Sequence, residues 1–252
     1  MDLVKTKKIL EIMEGVGILD AGIFAADDKN QIRGITQDKN TIIYTETDQF
    51  IEHQVGLLSV KGLLSRLNLF DEEKMGVELE TLKSKKNGED FVNQITIKEG
   101  RRRSKVTTTD PANMRTIPTD YPQCETVFSG VINKSYVDYI SKMKNSINSA
   151  SVTDTMYIEM YFDESSDKGT VNFSIGGGYD DFDDKFDVDI NDEFDSETFS
   201  VKWKIDPVIR AMKQASSISE EEKVEFQVTD RGLLEIDIDG IVVTVAPMNV
   251  TK

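Results

Sequence analysis

The sequence predicts an α+β protein in which one order of elements occurs twice. Four short segments carry apolar residues at three- and four-residue spacing, and seven others alternate apolar and polar residues with period two. The order of these elements recurs at half the chain length. A few amphipathic helices covering one face of many antiparallel strands form a layered α+β arrangement. The 252 residues, 38% hydrophobic and 30% charged, suffice for two domains of about 120 residues, each with its own core.

The helices follow from spacing. In residues 3–15 the apolar stripe is Ile9, Ile12, Met13 and Val16, and Lys7 shares the outer face with Glu11 and Glu14. In 59–70, Ser59 is placed to cap, Val60, Leu63, Leu64 and Leu67 pack, and Lys61 and Arg66 lie outside the stripe. In 133–148, Tyr136, Ile140, Met143 and Ile147 line one face, with Lys134 and Lys142 opposite. In 205–217, Asp206 reads as N-cap and Pro207 as first helical residue; Val208, Ala211, Met212 and Ala215 pack, and Arg210 and Lys213 point away.

Alternation predicts strands at 42–47, 75–82, 156–162, 170–175, 186–190, 199–205 and 224–228. Each half closes with a strand, a glycine turn, a strand and a proline: 95–100, 101–109 and Pro111, then 236–240, 241–246 and Pro247. An acidic run, 71–74 or 220–223, follows the helix upstream of each hairpin. Residues 110–123 hold Pro111, Pro118 and Pro122 without periodicity and read as an extended connector. The expected division is 1–110, a connector over 111–124, and 125–252.

Charge adds a second kind of information. The net charge is −16, yet the four helical segments hold ten Lys and Arg against four Asp and Glu, while the remainder holds 20 against 42. Cations gathered on repeated helices hold a polyanion there, and the acidic remainder repels it elsewhere. That pattern predicts a DNA-facing wall.

Other chemistry lacks its parts. One cysteine, Cys124, and one histidine, His53, exclude a disulfide framework and a zinc site of the usual ligands. Residues 187–191 begin like a calcium loop, but Asp192 stands where glycine is needed and Thr198 where a bidentate acid is needed. Gly15 and Gly17 follow a helix rather than a strand, and Gly176 to Gly178 fit a hairpin turn, so no phosphate-cradling loop is predicted. No serine sits at a nucleophile elbow. The expectation is no catalytic residue, no metal and no cofactor. The first thirty residues are charged throughout, and no run approaches the ~20 apolar residues that span a bilayer. A cytoplasmic protein without a membrane partner is expected, and the sequons at Asn133 and Asn249 are chance matches.

The order of basic helix, acidic run, strand, hairpin and proline, repeated around a proline-containing connector, resembles the DNA polymerase sliding clamps, proliferating cell nuclear antigen and its phage relatives. Residues 50–70 resemble the strand and helix that open the second unit of the first clamp domain, and 199–212 resemble their counterpart in the second. The closing Val243-Thr-Val-Ala-Pro247 is similar to the valine-alanine-proline ending of eukaryotic and archaeal clamps. The short chain points to the T-even phage branch. The resemblance implies a two-domain clamp fold with duplicated strand-helix-strand units, antiparallel sheets outside and basic helices inside. It also implies a homotrimeric ring, loaded by an ATP-driven clamp loader, that encircles double-stranded DNA without reading sequence and tethers the replicative DNA polymerase as a processivity factor.

In that frame Lys61, Arg66, Lys134, Lys142, Arg210 and Lys213 would face phosphates, with Lys7, Lys8 and Lys144 beside them. Subunits of the family join through edge strands. By position these are Arg103, Lys105, Val106 and Thr108 in the first domain and Val171, Phe173 and Ile175 in the second. The plainer reading of the first is an edge protected by charge. The pocket for partner peptides would involve Ile35, Ile43, Ile117, Tyr121, Val245 and Pro247. The alternative from another class is an acidic non-enzymatic structural or interaction protein of a phage particle, whose helix cations are merely solvated.

Overall fold

A computed structural model describes residues 3–26, 29–48, 51–70, 76–83, 90–114, 121, 123–146, 156–162, 170–176, 182–187, 189–190, 199–219 and 222–251. The chain divides into two compact units, 1–38 with 42–121, and 39–41 with 122–252. The runs 71–74 and 220–221, helix positions Ile147 and Asn148, the pocket residue Ile117, and residues 179–181, 188 and 191–197 lie outside the described residues.

In unit 1, α1 (Leu3–Val16) buries Ile9, Leu10, Ile12, Met13 and Val16 completely. Each such side chain contributes about 1.5–3 kcal/mol when removed from water, so the inward stripe holds the helix. Gly17, at φ 90°, ends it: its amide donates to the Glu14 carbonyl at 3.0 Å, and that of Ile18 donates to Met13 at 2.8 Å. This is the left-handed cap that glycine adopts without strain.

Strands β1 (Ala21–Ala26), β2 (Lys29–Ile35), β3 (Thr41–Asp48) and β4 (Val55–Leu57) form an antiparallel array in the order β3-β2-β1-β4. Helix α2 (Val60–Leu67) follows, its N-cap Ser59 accepting the Gly62 amide at 2.9 Å. Strands β5 (Gly76–Lys83), β6 (Asp90–Glu99) and β7 (Arg102–Thr107) make a second, three-stranded sheet. The two sheets meet where Gly56 of β4 exchanges backbone bonds with Thr109 at 2.8 and 2.9 Å. A Cβ at Gly56 would lie 2.8 Å from the Thr109 carbonyl and 2.7 Å from the Met114 sulfur, so only glycine allows the approach.

Unit 2 repeats the plan with additions. It holds β8 (Thr126–Asn133), α3 (Lys134–Ser146), β9 (Tyr157–Phe162), β10 (Thr170–Gly176), β11 (Phe182–Asp187) and β12 (Asp189–Ile190). Then come β13 (Ser200–Lys204), α4 (Ile205–Ile218), β14 (Lys223–Thr229), β15 (Leu234–Ile238), β16 (Ile241–Val245) and β17 (Asn249–Thr251). One sheet runs β11-β10-β9-β13-β17; the other contains β12-β8-β14-β15-β16. The series α1, β1, β2, β3, β4, α2, β5, β6, β7 thus matches α3, β9, β10, β11, β13, α4, β14, β15, β16. The core of unit 2 centres on Trp203, fully buried, whose indole N–H donates to the Gly232 carbonyl at 2.9 Å.

Several expectations are corrected. The strand expected at 186–190 is two strands: β11 pairs with β10, whereas β12 pairs with β8 in the other sheet. The buried stripe of α3 is Val137, Ile140 and Ser141, flanked by half-buried Tyr136 and Met143. Asp206 does not cap α4: Lys204 holds the N-cap position without a side-chain bond, and Asp206 stands inside the first turn.

Candidate nucleic-acid interface

Each unit packs its two helices against each other, α1 on α2 and α3 on α4, and their apolar stripes turn inward. What remains outward is mainly polar, with Val4 of α1 and Tyr139 of α3 as exposed exceptions. On α4 the exposed positions are Asp206, Arg210, Lys213 and Ser217, spaced four, three and four residues apart along one stripe. On α3 they are Ser135, Asp138, Tyr139, Lys142 and Asn145. Lys142, Arg210 and Lys213 form no ion pair with a described residue, so their ammonium and guanidinium groups remain available to a phosphate.

The other predicted cations are engaged or half-buried. Lys61 meets Glu14 of α1 at 3.2 Å, and Lys144 meets Asp206 of α4. Lys134 meets Glu222 at 3.1 Å, and its amide also donates to the Glu222 carbonyl at 2.7 Å. Arg66 folds back on its own helix to donate to the Gly62 carbonyl at 2.7 Å. Lys7 and Lys8 are half-buried on α1.

The edge strands depart from expectation in one half. In unit 1, β7 carries Arg102, Arg103, Lys105 and Val106 and pairs only with β6 among the described residues; Thr108, just past it, is buried. In unit 2 the expected edge, Val171, Phe173 and Ile175, lies on β10, which is bonded on one side to β9 and on the other to β11. Those three residues are therefore interior to their sheet. Beyond β10 the sheet ends, among the described residues, in β11, Phe182-Asp-Asp-Lys-Phe-Asp187, as it ends in β17 on the opposite side. The sequence signal that β11 terminates its sheet is charge, since edge strands carry it.

The proposed peptide pocket is corrected as well. Ile35 is 6% exposed, and Ile43 and Val245 are 0% exposed, so all three are core residues of their own units. Alternation along β3 instead turns Ile42 and Tyr44 outward, both half-buried. Tyr44 contacts Tyr121 with ring centroids 6.2 Å apart. The guanidinium of Arg33 stacks on Phe24 at 4.7 Å and on Tyr44 at 5.0 Å. Of this row of Phe24, Arg33, Tyr44 and Tyr121 on unit 1, only Tyr121 is among the residues expected at the pocket from the sequence. Pro247 is half-buried in unit 2.

No protein-family model and no curated protein matches the chain. Solved structures do. The structure is similar to proliferating cellular nuclear antigen from Entamoeba histolytica, with TM-score 0.63 and 11% identity over 97% of this chain and 95% of that one. It is similar to A. fulgidus PCNA bound to the C-terminal region of FEN-1, with TM-score 0.61 and 12% identity over 98% and 96%. It also matches the Helicobacter pylori beta clamp bound to a DNA ligase peptide, with TM-score 0.64 and 11% identity over 99% of this chain and 66% of that one. Two units of antiparallel sheet, each with a helix pair whose outward stripe carries cations, thus have the α+β fold of the DNA sliding clamps.

Proposed function

We propose that this chain is a sliding clamp, a non-enzymatic processivity factor that encircles duplex DNA and tethers a polymerase. The observation that carries the reading is the placement of Lys142, Arg210 and Lys213, exposed and without acid partners among the described residues, on the helix pair of an otherwise acidic clamp-fold chain. Contacts from such side chains are to phosphate and carry no base information, which suits a protein that must move along DNA.

The ring is a homotrimer joined head to tail, with residues 111–124 as connector between its domains. The basic β7 edge, preceded by Arg101, meets the acidic β11 edge of the next copy, and opposite charges align the two strands. An ATP-driven loader opens the ring. The setting is the cytoplasm of a phage-infected cell. Peptides of the polymerase and loader dock near Tyr44 and Tyr121. The peptides of FEN-1 and of DNA ligase bound to the structural neighbours support a peptide-binding role.

Light scattering over a concentration series is expected to give a mass near three subunits that falls on dilution. Loaded protein should remain on circular DNA and be lost when the circle is cut. A monomer at every concentration that ignores circular DNA would instead support an acidic structural protein of a phage particle.

A further inference from the structure

Two of the helix ion pairs sit at corresponding places in the two units, with acid and lysine exchanged. Glu14 lies in the last turn of α1 and reaches Lys61 in the first turn of α2. Lys144 lies in the last turn of α3 and reaches Asp206 in the first turn of α4. Each pair therefore bridges the end of a unit's first helix to the start of its second. Asp206 also heads the stripe that continues to Arg210 and Lys213, so it belongs to the surface offered to DNA. Glu222, just before β14, pairs with Lys134 at the start of α3 at 3.1 Å.

We infer that Glu14, Asp206 and Glu222 are built-in counterions that occupy part of the cationic surface and weaken its hold on phosphate. A lysine already paired with a carboxylate must break that pair before it neutralises a phosphate and releases a cation condensed on the DNA. The protein thus keeps its cations on the helices, yet only some act as full phosphate ligands. A clamp needs such moderation: every additional phosphate contact deepens the wells it must leave to slide. The inference rests on the clamp reading and adds residues that limit DNA affinity rather than supply it.

The test is the salt dependence of binding to a fluorescently labelled duplex by the full chain. The double variant Glu14→Gln with Asp206→Asn removes both carboxylate charges at nearly constant volume. Releasing Lys61 and Lys144 is expected to steepen the slope of log K against log salt by about 0.9 per lysine, about 1.8 in all. Adding Lys61→Gln and Lys144→Gln to that double variant should return the slope to the wild-type value, which a change in folding would not do. Equal slopes for wild type and double variant, with salt-dependent binding in both, would overturn the counterion role and leave the clamp reading intact. Binding by neither at any salt would overturn both. Thermal unfolding of each variant identifies any that is not folded, and Glu222→Gln, releasing Lys134, then supplies an independent slope.

Discussion

The two helix pairs are the same joint made with opposite charge. In unit 1 the Val60 amide at the start of α2 donates to the Leu19 carbonyl at 2.8 Å; in unit 2 the Ile205 amide at the start of α4 donates to Met156 at 3.2 Å. Beside each bond an ion pair crosses from the end of one helix to the start of the next. In unit 2 the acid sits at a helix N-terminus and the lysine at a C-terminus, so both favour the helix dipoles; in unit 1 both oppose them. The difference shows that the backbone joint is fixed by the fold, whereas the sign of the charges beside it is open to change.

The cores offer the largest test of that comparison. Unit 1 joins its sheets through backbone at Gly56 and Thr109, and unit 2 ties β13 to the β14–β15 turn through the Trp203 indole. Trp203→Ala should cost about 3–5 kcal/mol in urea unfolding, from lost volume and an orphaned Gly232 carbonyl. Gly56→Ala should cost about 1–3 kcal/mol by crowding the Thr109 backbone. The reverse order would break the distinction between a side-chain joint and a backbone joint.

DNA binding is expected to divide the units next. Reversing Arg210 and Lys213 to Glu should reduce duplex affinity at least about tenfold and flatten the salt slope by about 2. Neutralising Lys61 and Arg66 to Gln should change affinity no more than about threefold, because both are already engaged. Equal losses would remove the asymmetry.

The dipole argument is sharpened by a smaller effect. Asp206→Asn should destabilise the protein by about 1 kcal/mol, combining a favourable N-terminal charge and a surface pair. Glu14→Gln should leave thermal stability within about 0.3 kcal/mol, since the lost pair is offset by removing an acid from a helix C-terminus.

The smallest effect concerns unit 1 and pH. Hydrogen bonds from Gln31 and Lys29 hold the Glu46 carboxyl below its ordinary range. A depressed carboxyl contributes stability above its unfolded pKa and loses it as pH falls through the lower folded value. Glu46→Gln should therefore leave neutral stability almost unchanged and slightly flatten the decline below about pH 4.

Much of this arrangement was legible in the sequence because the helices announce themselves by spacing. Val60, Leu63, Leu64 and Leu67 are buried where the period places them, as are Val208, Ala211, Met212 and Ala215. Long-range pairing was not legible. Asn30 looks like a turn residue, yet it is fully buried, its side chain donating to the Ile51 carbonyl and accepting the Ile51 amide, both at 2.9 Å. Strands β1 and β2 escaped notice because glycine and polar residues blur their alternation. The cationic helix positions were readable as types, but which were engaged by acids depended on contacts such as Lys144 with Asp206, 62 positions apart.

The change of sheet at β11 and β12 makes unit 2 a mechanical linkage. One residue separates Asp187, the last of a strand bonded to β10, from Asp189, which pairs with Ser129 of β8. Strand β8 runs directly into α3 at Lys134. The outermost strand of one sheet and the strand that leads, within five residues of Ser129, into the helix of Lys142 are thus neighbours along the chain and across the β12–β8 pairing. In the proposed ring, a neighbour that pairs with β11 would therefore act one short connection away from the strand that carries α3.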